Sequence, residues 1–420
     1  MSLYDKASLV QIPSGTKAGT LYSVLPANGD GDFDHTRATS ATRVNKDGLI
    51  ESVASGVPRL DYPLIDGVVQ DCPALLLEPE RRNSILYSNG FDNSAWQKGG
   101  GGTAPAPVVS ANQGISPDGS NNAYKVDFDL GGGTTSTDRS RLTQSFTGTS
   151  STEYVFTFYA KAYSASDVGK IVNFSVDNVS GEDANFTLTS DWQRFTFSGT
   201  STGTFINQHI QLRGNLSTSD TASMLLFGYQ AEAGSYATSY IPTTTSAVTR
   251  NADVCNGAGT SAEFNDSEGV LFAEIAALAN DGTVRRIAIP NTGVTGLHRI
   301  ELSSTDNQVF GVTYISPSNQ AAISYTMPDA TTPFKIAYKY KENDFALWVN
   351  GVEVGVDPSG SVPTGLVKIN FDNGSGSNDF YGKTKQLMVF NEALTDSELE
   401  QITSWTSFGE MAKGQLYTIE

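Results

Sequence analysis

Large apolar residues alternate with polar ones in a series of short runs, and a period of two predicts half-buried antiparallel strands. YVFTFYAKA at 154–162, IVNFSV at 171–176, WQRFTFS at 192–198 and FINQHIQLR at 205–213 make up one series. VLFAEIAAL at 270–278, FKIAYKY at 334–340, FALWVNGVEV at 345–354, LVKINF at 366–371 and KQLMVF at 385–390 make up a second. Within FALWVNGVEV, Asn350 and Gly351 are the pair that a type I′ hairpin turn demands, because both central residues need positive φ. Two antiparallel β-sandwiches in tandem account for both series. The stretches GGGGTAPAP at 99–107 and GGGTTST at 131–137 read as loops, and NGAGTSAEFND at 256–266 as a linker. One helix is marked, in LTDSELEQITSW: Thr395 is placed as N-cap, Glu398 as its capping-box partner, and Leu394 and Leu399 as a hydrophobic staple. TSATRVN at 39–45 and TSAVTRN at 245–251 form a short repeat, each ahead of a new β unit.

Composition narrows the functions that remain. A length of 420 residues predicts two or three domains. Charged residues are only 17% of the chain, below the usual quarter or so, which fits β-sheet and turns better than helical surface. A net charge of -18 repels phosphate and anionic lipid, so neither nucleic acid nor a membrane is an expected partner. No apolar run reaches the length of a membrane span, and MSLYDKASLVQIPSG lacks the basic-then-apolar build of a secretory signal. Cys72 and Cys255 are too few and too far apart for a disulfide framework or a zinc site, and are expected to be dispensable thiols, with an inter-module bridge as the alternative.

Several segments resemble a known family. HTRATSATRVNKDGLIESVASGVPRLDY, followed by CPALLLEPERRNSILYSNGFDNSAWQK, is similar to the opening module of tailed-bacteriophage structural and tail-fibre proteins. FTFYAKA, DWQRFTFSGT and FGYQAEAGSYATSYIPTTTSAVTRNADV resemble the carbohydrate-binding-module-like jelly roll of such proteins. LWVNGVEV with QLMVFNEALTDSELEQI is similar to concanavalin A-like domains of the laminin-G type. The resemblance implies an all-β chain: an N-terminal attachment and oligomerisation module at 1–82, a jelly roll at 83–254, then a concanavalin A-like sandwich at 255–420 with the short C-terminal helix. It implies a virion component made in the host cytoplasm, in the tail or tail fibre, that contacts other virion proteins and host surface polysaccharide. A capsid-decorating or head-fibre protein, and a polysaccharide-degrading enzyme on the concanavalin A-like fold, are the alternatives. A homo-oligomer, a trimer, is expected because the apolar runs LVQIP and ALLLEP lie in a region with little core of its own.

Catalytic chemistry finds few anchors. GTSTG at 199–203 matches a nucleophile elbow in letters, but a second Thr-rich β run follows where a helix is needed, so Ser201 reads as a loop serine. His35, His209 and His298 lie far apart, and His209 sits on an alternating strand as a hydrogen-bonded or surface imidazole. Glu274 lacks a carboxylate at an alternate position, and Glu301 and Asp306 face opposite ways if their strand continues, so no glycosidase pair forms. NGDGDFD at 28–34 reads as an acidic turn, since an EF-hand count from Asp30 ends on Ala41. The jelly-roll resemblance implies a structural calcium, with Asp92 and Glu232 flanking that module, but no ligand set is assigned.

Sugar sites use exposed rings that stack on pyranose faces, with amides and hydroxyls nearby. Trp96, Tyr124 and Tyr163 are the candidate carbohydrate-binding rings; Tyr159 could equally be core, and Trp192 reads as structural. Arg37, Arg43, Arg81 and Arg82 are candidates for docking to another virion subunit, being a basic cluster in an acidic chain; the alternative for Arg81 and Arg82, beside Glu78 and Glu80, is a salt-bridged clasp between modules.

Overall fold

The computed structural model describes residues 3–65, 68–181, 183–405 and 410. It is almost entirely antiparallel β-sheet, and the chain divides into two compact units. One comprises Met1–Gly48, Ser52–Pro79 and Asn251–Glu420; the other comprises Leu49–Glu51 and Glu80–Arg250.

The second unit is a sandwich of two five-stranded sheets. One sheet runs Gln97–Gly101, Arg139–Thr147, Phe205–Arg213, Ile171–Asp177, Asp183–Thr187; the other runs Val108–Gly114, Ala123–Asp129, Thr221–Ala233, Glu153–Ala162, Gln193–Thr200. The alternation read from the sequence puts one side of each strand inward: Phe156, Phe158, Phe174, Ile210 and Leu212 are fully buried. Phe158 and Phe174, from facing sheets, bring their ring centroids within 5.8 Å. The glycine-rich run at 99–107 departs from its expected loop, because Gln97–Gly101 pairs as an edge strand with Arg139–Thr147. A Cβ at Gly100 would meet the Ala104 carbonyl oxygen at 2.6 Å, so the tight return after this strand demands glycine there.

The first unit pairs an eight-stranded with a nine-stranded sheet. Its strand Glu268–Ala277 is buried on both sides, with Leu271, Ala273 and Ile275 in the main core and Val270 and Phe272 in a second cluster with Leu394, just ahead of the C-terminal helix, and Leu399 within it. That helix, Asp396–Thr403, begins as its sequence indicates: the Thr395 backbone N–H donates to Glu398 Oε2 at 3.0 Å. Asn350 and Gly351 take φ of 49° and 85° in the hairpin turn.

The N-terminal stretch does not form a module of its own, contrary to the division at residue 82. Leu9–Gln11 pairs with Gly382–Phe390, and Ala74–Leu77 pairs with both Gly382–Phe390 and Arg59–Asp61, all in the eight-stranded sheet. Phe33–Thr36 pairs with Val254–Ala258 in the nine-stranded sheet. The physical reason is burial: Leu9, Val10, Leu75 and Leu77 are 2% exposed or less because they complete an existing core. No subunit contact is needed to cover LVQIP or ALLLEP, and the trimer expected on that ground loses its support. The expected linker at 256–266 likewise begins inside a strand, where Gly257 at φ 86° sits at a register shift opposite Asn370.

Residues from the segments that carry the N-terminal resemblance meet Asp253, from the end of the jelly-roll-like segment, in one buried charge cluster. Asp253 accepts from Arg37 at 2.8 Å and from the Glu78 backbone N–H at 2.9 Å, and it also takes Arg59. Arg59 in turn donates to Glu78 at 2.6 Å, and His35 Nε2 lies 3.3 Å from Asp253. HTRAT, VPRLDY, LLLEP and RNADV therefore share a structural role. Their charges tie the N-terminal strands to Asn251–Glu420.

Candidate functional site

The Arg139–Thr147 sheet turns its second face away from the core. Because Ile206, Ile210 and Leu212 point inward, Phe205, Asn207, His209, Gln211 and Arg213 line up on the outer side of one strand. Eight steps of strand span roughly 27 Å. Arg139, Arg141 and Thr143 flank them on one neighbour and Asn173, Ser175 and Asp177 on the other. Part of this face is a groove of about 590 Å³, lined among others by Arg139, Arg141, Asp177, His209, Gln211 and Arg213.

Its floor is a hydrogen-bonded polar network. Gln211 donates to Asn173 Oδ1 at 3.1 Å and to Ser175 Oγ at 2.8 Å, and Asn173 donates to Asp183 at 2.7 Å and Asn185 at 3.0 Å. Burial holds the His209 imidazole below its ordinary pKa although Asp177 opposes the shift. With Asp177 Oδ2 3.1 Å from Nε2, that nitrogen carries the proton, and Nδ1 accepts from the Thr143 hydroxyl at 2.8 Å. Hydrogen bonds from His209 and Asn207 hold the Asp177 carboxyl below its ordinary range against the cost of desolvation. Phe205 stands at the end of this row with 56% of its surface exposed. The face thus offers an open ring next to fixed amides, hydroxyls and cations.

The residues singled out from sequence do not assemble there. Trp96 is a core residue, 1% exposed, with its indole N–H donating to the Tyr87 carbonyl at 3.0 Å and its ring against Phe91 and Tyr229. The adjacent glycines form a strand rather than an open loop, so they do not expose it. Tyr124 packs edge-on to Phe91, and burial with Asp92 beside it pushes its phenol up to about 12. Tyr163 is exposed, but the Lys125 ammonium lies 4.3 Å from its ring centroid and occupies a face. Arg37 is buried and spent on Asp253, and so cannot dock a partner. Arg43 is half-buried, Arg81 lies over the Tyr236 ring at 5.1 Å, and Arg82 is exposed. Arg37 and Arg43 belong to one unit, and Arg81 and Arg82 to the other.

The weighed catalytic residues are engaged elsewhere. Ser201 is buried and donates to the Thr149 carbonyl at 2.6 Å. Glu301 accepts from Arg286 and Arg299, both at 2.7 Å, whereas Glu274 sits in the other sheet and accepts from Gln386 at 2.9 Å. Glu232 is buried, with both oxygens taken by Gln230 and Thr238. Among the described residues no group of three or more His, Cys, Asp or Glu could hold a metal ion, and no helix is long and apolar enough to cross a membrane. In the other unit, a groove of about 800 Å³ contains Trp405, whose ring is already covered by Lys335 at 4.4 Å.

No protein-family model matches the chain, and no curated protein matches it. Among solved structures it is similar to a leech intramolecular trans-sialidase at 16% identity and a TM-score of 0.29, over 34% of this chain and only 24% of that one. It is also similar to the tandem CBM22 domains of Paenibacillus barcinonensis Xyn10C at 10% identity and a TM-score of 0.25, covering 75% of this chain and 97% of that one. Domains LG4-5 of the mouse laminin alpha1 chain match at 12% identity and a TM-score of 0.24, over 59% of this chain and 86% of that one. At these TM-scores none carries an argument about ligand or activity.

The signal for the outer row was present in FINQHIQLR. Once Ile206, Ile210 and Leu212 are taken as core, the other residues share a face. Which of two sandwich faces carries an open groove depends on neighbouring strands, and that is not encoded in the run itself.

Proposed function

We propose that this chain is a non-enzymatic glycan-binding structural protein of a tailed-phage particle, a tail or tail-fibre component that holds host surface polysaccharide. The observation that carries the glycan reading is the row Phe205, Asn207, His209, Gln211 and Arg213: an exposed ring for stacking, followed by anchored polar groups along a strand long enough for several sugar units. The phage setting is supported by the N-terminal resemblance, whose motif residues build the buried cluster around Asp253. A shallow polar face with one open ring predicts weak binding per site, on the order of millimolar to tens of micromolar, which several copies on a particle would strengthen by avidity.

Retention of the chain on immobilised host polysaccharide tests the glycan reading. Phe205→Ala should abolish retention, and a reducing-end assay should stay flat. Unchanged retention by this variant would move the site elsewhere, and release of reducing ends would make the protein an enzyme. Mass spectrometry of purified particles tests the setting, and absence of the chain from them would remove it.

A further inference from the structure

Three arginines on this face are not explained by a neutral sugar. Arg139 and Arg213 are direct cross-strand partners, and Arg141 lies two residues along from Arg139 on the same side. Like charges placed directly opposite destabilise a strand pair. In a chain of net charge -18, with carboxylates in excess, three neighbouring cations would be expected to attract partners. Among the described residues none of the three forms an ion pair. Arg213 Nε donates to the Ser136 carbonyl at 3.0 Å, while Arg139 Nε is buried with no hydrogen-bond partner.

Among the described residues, the groove's carboxylates are hydrogen-bonded to other groups and form no ion pair with the three arginines. Asp177 is held by His209 and Asn207, and Asp183 by Asn173. Desolvation, then repulsion from Arg139 and Arg213, lowers the Arg141 pKa, and Asp177 offsets this in part. The glycine edge strand keeps space for the side chains: a Cβ at Gly99 would stand 3.2 Å from Arg141 Nε, and one at Gly101 would stand 3.3 Å from Arg139 Nε. Substituted glycines would crowd both guanidinium groups.

We propose that the groove selects an anionic saccharide, with a carboxylate or sulfate of the sugar seated among Arg139, Arg141 and Arg213. This rests on the glycan-binding reading and specifies its ligand class. Guanidinium donates two parallel N–H groups to a carboxylate or sulfate, so an incoming anion relieves the repulsion between Arg139 and Arg213. The ring of Phe205, at the other end of the same row, then takes a sugar several units further along the strand.

Calorimetric titration of the full chain with polygalacturonate, polysialic acid, dextran sulfate, neutral dextran and mannan tests this. Acidic polymers should bind and the neutral ones should bind at least about tenfold more weakly, with added salt narrowing the gap. Comparing polygalacturonate and polysialic acid with dextran sulfate separates carboxylate from sulfate recognition, and a preference for either supports the proposal. The double variant R141Q/R213Q should lose about tenfold or more toward acidic polymers while its melting temperature holds or rises, because repulsion has been removed. Full binding by that variant, or a melting temperature lowered by several degrees, would overturn the proposal. Binding of neutral polymers alone, insensitive to R141Q/R213Q, would overturn it and leave the glycan reading standing. Failure of all five polymers to bind would overturn both.

Discussion

Arg59 and Asp253, 194 residues apart in the chain, form an ion pair in which neither side chain is accessible to solvent. The pair exists because the strand Arg59–Asp61 is built into the same unit as the segment after Asn251, and Asp253 there also receives Arg37. Removing Asp253 would take away the one carboxylate that two buried guanidinium groups share. Asp253→Ala should therefore destabilise the unit by about 3–5 kcal/mol, read from chemical denaturation, and a loss below about 1 kcal/mol would show that water reaches the cluster. The arginines hold the Asp253 carboxyl well below the usual carboxylate range, against its desolvation. Its contribution is present above the unfolded carboxylate pKa of about 3.9 and is lost as pH falls below that value.

His298 gives a second and earlier acid response. It is fully buried, its ring stacked 3.6 Å from Tyr340, and burial lowers its pKa to about 3. The unfolded chain takes up a proton near pH 6.5 that the folded chain refuses until about pH 3, so this contribution is complete above pH 6.5 and is lost progressively below it. Stability measured from pH 7 to pH 4 should fall in the wild type and be flatter in His298→Gln. Parallel profiles would show that His298 is not the titrating group.

Trp96 and Phe205 should respond in opposite ways. Trp96→Ala empties a core position beside Phe91 and Tyr229, at a cost of about 3–5 kcal/mol by thermal or chemical denaturation. Phe205→Ala removes an exposed ring and should shift stability by less than about 0.5 kcal/mol while abolishing polysaccharide retention. Reversal of either result would reassign that residue.

The two thiols should differ in reactivity. Cys72 is exposed, whereas Cys255 is buried and desolvation pushes its thiol well up. A thiol reagent should modify one cysteine in the native protein and both after denaturation. Rapid modification of both in the native state would show that the Phe33–Thr36 and Val254–Ala258 pairing opens readily.

Local features were legible where the physics is local. Asn350–Gly351 specifies its turn through φ alone, and Thr395 with Glu398 caps the final helix through groups three residues apart. The alternation in FINQHIQLR and YVFTFYAKA fixes which side chains share a face, because neighbouring residues in a strand point oppositely. Exposure was less legible. Trp96 beside glycines looked open, but Gln97–Gly101 is a paired strand and the indole packs in the core against Phe91 and Tyr229.

The sequence by itself determined an all-β chain with two sandwich series and a capped terminal helix, since period, turn residues and caps act over a few positions. Only the tertiary structure decided the partners that lie far apart in the chain. It placed Leu9 opposite Val389, gathered Arg37, Arg59 and Glu78 on Asp253, and set Arg139 against Arg213 beside a glycine strand. Such contacts depend on strand order and register, which come from burying many faces at once, and no short window of sequence contains that information.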